Sequence, residues 1–152
     1  MTDPLGPQVF TLPVRVYIED TDAGGVVFHA RYLHYMERAR TEWVRHCGVQ
    51  LRAGLENNIS YVVQKLSIHY AVPARLDDEV LVTAEPTAMG RVWMNFRQQV
   101  VRKEDHQLLA EADVRVACVT LDSARPRRLP DNLRELLERS LAANTNTDSN
   151  QE

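Results

Sequence analysis

The sequence predicts an α+β fold in which a five-stranded antiparallel sheet is wrapped around one long helix, with a short helix at the C-terminal end. Three observations lead there. Apolar residues recur at spacings of three and four in only one long segment, which includes Tyr32, Leu33, Met36, Ala39, Trp43, Val44 and Cys47. Five other segments carry strand patterns, and the last four follow one another with only turns between them, so they are expected to pair as successive antiparallel neighbours. Strand–helix alternation of the kind a doubly wound parallel sheet needs is missing, so the helix must lie across the sheet to bury its stripe.

Residues 1–8 contain Pro4, Gly6 and Pro7 and are expected to form a flexible leader. From Val9 to Glu19 apolar and polar residues alternate, with Val14, Val16 and Ile18 on one side of a half-buried strand. The turn-rich EDTDAGG follows. In the helix, Glu37, Arg38, Glu42 and Arg45 take the wetter side, and Gly48 stands where a C-terminal glycine cap belongs. Residues 59–72 read as a strand ended by Pro73, and residues 79–86 and 91–102 as two more. A turn over Lys103–His106 leads to the last strand, residues 108–121. Asp131 can cap a short helix over Leu133, Leu136, Leu137 and Leu141. The folded domain is therefore residues 9–141, and residues 142–152, ending in NTNTDSNQE, are expected to be a disordered polar tail.

Composition narrows the function classes. The chain has 152 residues, 44% hydrophobic and 26% charged, which suits one globular domain. With 18 basic against 21 acidic residues and no long Lys/Arg block, nucleic-acid binding is not expected. No segment has the apolar length of a membrane span, and MTDPLGPQVF lacks the pattern of a signal peptide, so a cytoplasmic address is expected. Cys47 and Cys118 match no metal-ligand spacing and read as free thiols. The histidines His34, His46, His69 and His106 show no metal spacing either, and no phosphate loop or dinucleotide fingerprint occurs.

The stretch from Arg15 to Arg45 carries the chemistry. Asp20 and Asp22 follow a strand, Gly24 and Gly25 let the backbone approach a ligand closely, and the long helix is expected to start about seven residues beyond Asp22. The first N–H groups of a helix have no partners within it. A carboxylate facing such donors is the arrangement acyl transfer needs, a base or nucleophile opposite a site for the oxyanion. On residue chemistry alone the ordinary alternative stands, with Asp20 a turn or cap residue and Asp22 a solvated loop acid.

The run Arg15-Val16, four residues, Thr21-Asp22, two residues, Gly25-Val26-Val27-Phe28-His29, two residues, Tyr32 resembles the signature of the 4-hydroxybenzoyl-CoA thioesterase group of hotdog-fold proteins. More closely, EDTDAGGVVFHARYLHYMERARTEWVR is similar to the acyl-CoA thioesterase subfamily encoded with the Tol–Pal envelope system, the YbgC-like proteins. Tyr70, the PARLDD of Pro73–Asp78 and the RPRRLP of Arg125–Pro130 agree, so the resemblance covers roughly residues 9–141.

The resemblance implies hydrolysis of acyl-CoA thioesters without metal or organic cofactor. It makes Asp22 the catalytic carboxylate, as nucleophile or as general base, and places the His29 backbone N–H against the thioester carbonyl. The His29 imidazole is a separate question, because the family admits Tyr, His or Phe there. Gly25, Phe28 and Tyr32 are candidates for the substrate site, with Leu33 and Met36 as further acyl-chain contacts, although helical spacing also suits plain core. Arg91, after Met89-Gly90, is the candidate for the CoA phosphates. Glu37 is read as structural, because a helical catalytic Glu belongs to another branch of the fold. A homodimer or homotetramer with sites at the subunit interface is implied. Acyl carrier protein thioesters, with Arg125, Arg127 and Arg128 as a small docking patch, are the alternative substrate. A non-catalytic acyl-binding scaffold and a dehydratase are rival readings.

Overall fold

A computed structural model describes the backbone of residues 9–150 and the side chains to residue 143. The expected leader and the last two residues of the expected tail lie outside the described residues. Strand β1, Phe10–Arg15, pairs antiparallel with β3, Glu79–Met89, from Phe10 opposite Ala84 to Arg15 opposite Glu79. The other strands are β2, Ile59–Tyr70, β4, Trp93–Arg102, and β5, Leu108–Thr120, and the sheet order is β1-β3-β4-β5-β2. Thus β3, β4 and β5 are successive neighbours, but β2 stands at an edge beside β5 rather than next to β3. Alternation fixes which face of a strand is buried and says nothing of which strand lies alongside.

The first strand is shorter than its pattern. It stops at Arg15, and Ile18–Asp20 form a 3-10 turn closed by the Asp20 and Thr21 N–H groups on the Tyr17 and Ile18 carbonyls. Val16 is fully buried, but the turn swings Ile18 out to 76% exposure instead of leaving it on the same side.

Helix α1 spans Arg31–His46 and buries Tyr32, Met36, Ala39 and Trp43 from the apolar stripe. It also buries Tyr35, three residues after Tyr32 and four before Ala39 at the edge of that stripe. Gly48 adopts φ +91°. Its N–H binds the Arg45 carbonyl and the Val49 N–H binds that of Val44, the paired bonds of a glycine-terminated helix. A further helix, α2, Leu51–Glu56, is too short to show a period in the sequence. The last helix, α3, Asp131–Asn150, has 20 residues and continues well past Leu141. The sequence reading ended where apolar residues end, but backbone hydrogen bonding carries a helix without them.

Packing divides the chain into two compact units, residues 9–43, 67–85 and 97–113 in the first, and 44–66, 86–96 and 114–150 in the second. In the first, Val16, Tyr35, Met36, Val80, Val82, Val100 and Leu109 are fully buried around Gln98. In the second, Phe96, Val114, Cys118, Leu133 and Leu137 are fully buried, and both cysteines are free. Among the described residues no helix is long and apolar enough to cross a membrane.

Candidate active site

The first unit assembles the motif. Residues 20–28 fold back on themselves: the Asp22 N–H donates to the Val26 carbonyl at 2.9 Å, Thr21 pairs with Val27, and the Phe28 N–H donates to the Asp20 carbonyl at 2.9 Å. The PARLDD segment seals this hairpin from the other side. Val27 N–H donates to Ala74 at 2.8 Å, Leu76 N–H to Gly25 at 3.2 Å, and Asp77 N–H to Val16 at 3.0 Å. Two stretches some 50 residues apart thus form one backbone network, and extended backbone with its hydrogen bonds paired is stiff.

Within this frame Asp22 is exposed and held at one end only. Its Oδ1 accepts the Gly24 N–H at 2.8 Å, while Oδ2 accepts no hydrogen bond among the described residues. One oxygen therefore fixes the rotamer and the other is open to a reactant. Gly25 closes the turn at φ +79°, and its N–H donates to the Asp22 carbonyl at 3.1 Å. Open space lies where its Cβ would stand, so the glycine serves the left-handed backbone conformation rather than close approach.

Nine residues beyond Asp22 the helix begins. Among the described residues the His29 and Ala30 N–H groups have no hydrogen-bond partner. Asp22 pairs opposite Val26, and the three residues from Val26 to His29 span at most about 10 Å. The hairpin therefore holds the free carboxylate oxygen and the free amides on one short stretch of chain.

The remaining predicted site residues divide. Phe28 and His29 are exposed, their rings 4.4 Å apart between centroids. Tyr32 is buried, and its hydroxyl accepts the Ala74 N–H at 2.9 Å, an anchor for the hairpin seal. Burial raises its phenol pKa. Leu33 is half-buried and Met36 fully buried. Glu37 is exposed on α1, beside His34, Arg38 and Thr41.

Arg91 belongs to the second unit, exposed, with its carbonyl accepting the Leu129 N–H at 3.0 Å. Next to it Trp93 lies so close to Gly90 that a Cβ there would meet the indole nitrogen at 2.3 Å. The Arg115 guanidinium stacks on Trp93 at 3.9 Å and donates to Asn95 at 3.0 Å. Among the described residues no group of three or more His, Cys, Asp or Glu side chains gathers to hold a metal ion.

Three further residues complete the site: Asp20, which the sequence offers as a turn or cap residue, and Tyr35 and Tyr70, to which it gives no role. Asp20 is buried, accepts the Tyr17 N–H at 2.9 Å and faces Arg31 at 3.9 Å, which ties the hairpin to the first residue of α1. Tyr35 is buried with a hydroxyl that has no hydrogen-bond partner among the described residues. Burial first and the neighbouring Asp20 carboxylate second raise its phenol pKa, so the two groups feel each other without meeting hydrogen-bond geometry. Tyr70 donates its hydroxyl to the His29 carbonyl at 3.0 Å. Separations of this size along the chain leave no local signal.

Known proteins resemble this chain over most of its length. The profile of the thioesterase-like superfamily matches residues 16–137. The acyl-CoA thioester hydrolase YbgC of Escherichia coli O6:H1 is 45% identical over 129 residues, 85% of this chain and 96% of that protein. The acyl-CoA thioesterase YbgC of Haemophilus influenzae is 44% identical, over 82% of this chain and 91% of that protein. Among solved structures, Slr0204, a 1,4-dihydroxy-2-naphthoyl-CoA thioesterase from Synechocystis, superposes with a TM-score of 0.79 at 25% identity, over 85% of this chain and 95% of its own.

Proposed function

The chain belongs to the thioesterase-like superfamily, and we propose that it is an acyl-CoA thioester hydrolase whose reaction is carried by the Asp22 carboxylate opposite the His29 amide. The observation that carries this reading is the half-anchored carboxylate at one end of a short hairpin, with Oδ1 held by Gly24 and, among the described residues, no partner on Oδ2 or on the N–H groups at the other end.

The thioester carbonyl oxygen sits against the His29 N–H, which stabilises the negative charge that develops there. Asp22 either attacks the carbonyl carbon, giving a mixed anhydride that water then cleaves, or takes a proton from the water that attacks. In both routes the C–S bond breaks with its electron pair on sulfur. The thiolate of CoA is a fair leaving group and places little demand on a general acid, so the imidazole of His29 is not required. Overall, acyl-CoA and water give the free acid and CoA.

Arg91 is the residue for the CoA phosphates, exposed on a backbone pinned through Leu129. The acyl group is aliphatic, since the exposed Phe28 ring suits an apolar chain. The working unit is a homodimer paired through the β2 edge, where Val62 and Val63 are 44% and 50% exposed in the single chain. An exposed apolar edge strand of this length calls for a partner.

The test is thiol release across acyl-CoA lengths, wild type beside Asp22→Asn. The variant is expected to lose about 10²-fold or more in kcat. Near-normal turnover would remove Asp22 from the reaction. A single turnover in 18O-water that labels Asp22 itself demonstrates the anhydride route, since label reaches the carboxylate only when water opens an anhydride at the Asp22 carbon. Matched acyl carrier protein thioesters in the same assay identify the carrier.

A further inference from the structure

Two consecutive peptide groups lie just ahead of α1, and both have occupied oxygens. The Phe28 carbonyl accepts the Arg31 N–H at 2.8 Å, and the His29 carbonyl accepts the Tyr70 hydroxyl at 3.0 Å. The N–H of the first peptide belongs to His29 and that of the second to Ala30, and neither has a partner among the described residues. A peptide whose oxygen already accepts a hydrogen bond is polarised, which makes its N–H the stronger donor.

Tyr70 ends β2 and is 42% exposed, yet three contacts fix its ring and tip. The ring stands edge-on to His29 at 6.3 Å and tilted to Tyr32 at 5.4 Å between centroids. Tyr32 is itself tethered through its hydroxyl to Ala74. Such a chain of supports around one exposed hydroxyl is more than core packing needs. Desolvation raises the Tyr70 phenol pKa, so the proton it donates stays in place through the neutral range.

We propose that Tyr70 is a positioning residue for thioester hydrolysis: by donating to the His29 carbonyl it orients the His29–Ala30 peptide, so that the Ala30 N–H stands beside the His29 N–H as a second donor to the oxyanion. As the carbonyl is attacked, its π electron pair moves onto oxygen between the two donors. When the tetrahedral species collapses that pair re-forms the carbonyl and the C–S pair departs with CoA. The inference rests on Asp22 and the His29 amide being the reaction centre.

The experiment uses the full chain. Tyr70→Phe keeps the ring and removes only the hydroxyl, and its kcat is expected to fall about 3- to 10-fold with KM and melting temperature unchanged. Ala30→Pro deletes the second N–H just outside the helix ladder and is expected to lower kcat by about 10²-fold. Adding Tyr70→Phe to Ala30→Pro should then cost nothing more. A 13C-carbonyl acyl-CoA bound to Asp22→Asn gives a readout independent of turnover and of the proline variant. Its carbonyl stretch is expected to rise in frequency when Tyr70→Phe is added.

A Tyr70→Phe kcat within about twofold of wild type, or an unmoved carbonyl band, overturns the inference even where Asp22→Asn is inactive. Retained turnover in Asp22→Asn overturns the catalytic reading itself, and this inference with it.

Discussion

The Arg40 guanidinium donates to Oε1 of Gln98 at 2.9 Å, while Nε2 of the same fully buried Gln98 donates to the carbonyls of Met36 and Thr83 at 2.9 and 3.0 Å. One amide side chain on β4 thus satisfies α1 and β3 together. Every polar atom of the amide is engaged, which is the condition under which a buried polar group is tolerated.

Gln98→Leu removes the acceptor from a partly buried cation and two donors from main-chain oxygens. Unfolding in urea should show a loss of about 2–4 kcal/mol, larger than a simple cavity would give for so similar a volume. A change below about 0.5 kcal/mol would show that water replaces the amide.

Tyr35→Phe should raise stability by about 1 kcal/mol, because the hydroxyl is buried without a partner. The same variant tests the alkaline limb. The folded phenol pKa lies above its ordinary 10.0, so the unfolded chain loses the proton first. The contribution is complete below that value and declines as pH rises past it, by about 1.4 kcal/mol per pH unit for each such tyrosine. Denaturation profiles of Tyr35→Phe should be shallower than wild type only above pH 10.0, with no difference in slope at neutral pH.

Gly90→Ala places a methyl group where the indole of Trp93 already stands, at 2.3 Å from its nitrogen. The ring must tilt away, and the Arg115 stack goes with it. A loss of about 1–3 kcal/mol is expected, together with a change in Trp fluorescence. An unchanged melting temperature and spectrum would show that the ring has room to move.

Val63→Lys puts a charge on the exposed β2 edge without touching the buried face. Sedimentation velocity should show a dimer converting to monomer, with activity falling as the species dissociates. A wild type that sediments as a monomer at assay concentration would remove the edge-paired dimer.

Much of the architecture was legible in single residues. The three-and-four spacing through Met36 and Ala39 marked α1 to within about two residues of its start, and Gly48 marked its end through a backbone conformation that glycine adopts without strain. The DTD motif was also visible, because tight turns need Asp and Gly at set positions. Ile18 misled: its alternation with Val16 is real, but the Asp20 and Thr21 amides close a turn there, and local hydrogen bonds outweighed the pattern. The helical segment after Leu141 was missed because propensity and apolar period are weak signals in a polar stretch.

The sequence alone determined the presence of five strands, the long amphipathic helix and the carboxylate with its glycines, since each depends on interactions within a few residues. Tertiary structure alone decided that β2 lies beside β5, that PARLDD seals the Asp22 hairpin, and that the Tyr70 hydroxyl meets the His29 carbonyl 41 residues away. Those pairings compete over the whole chain, and their outcome depends on which distant backbone groups and side chains satisfy one another once water has been excluded.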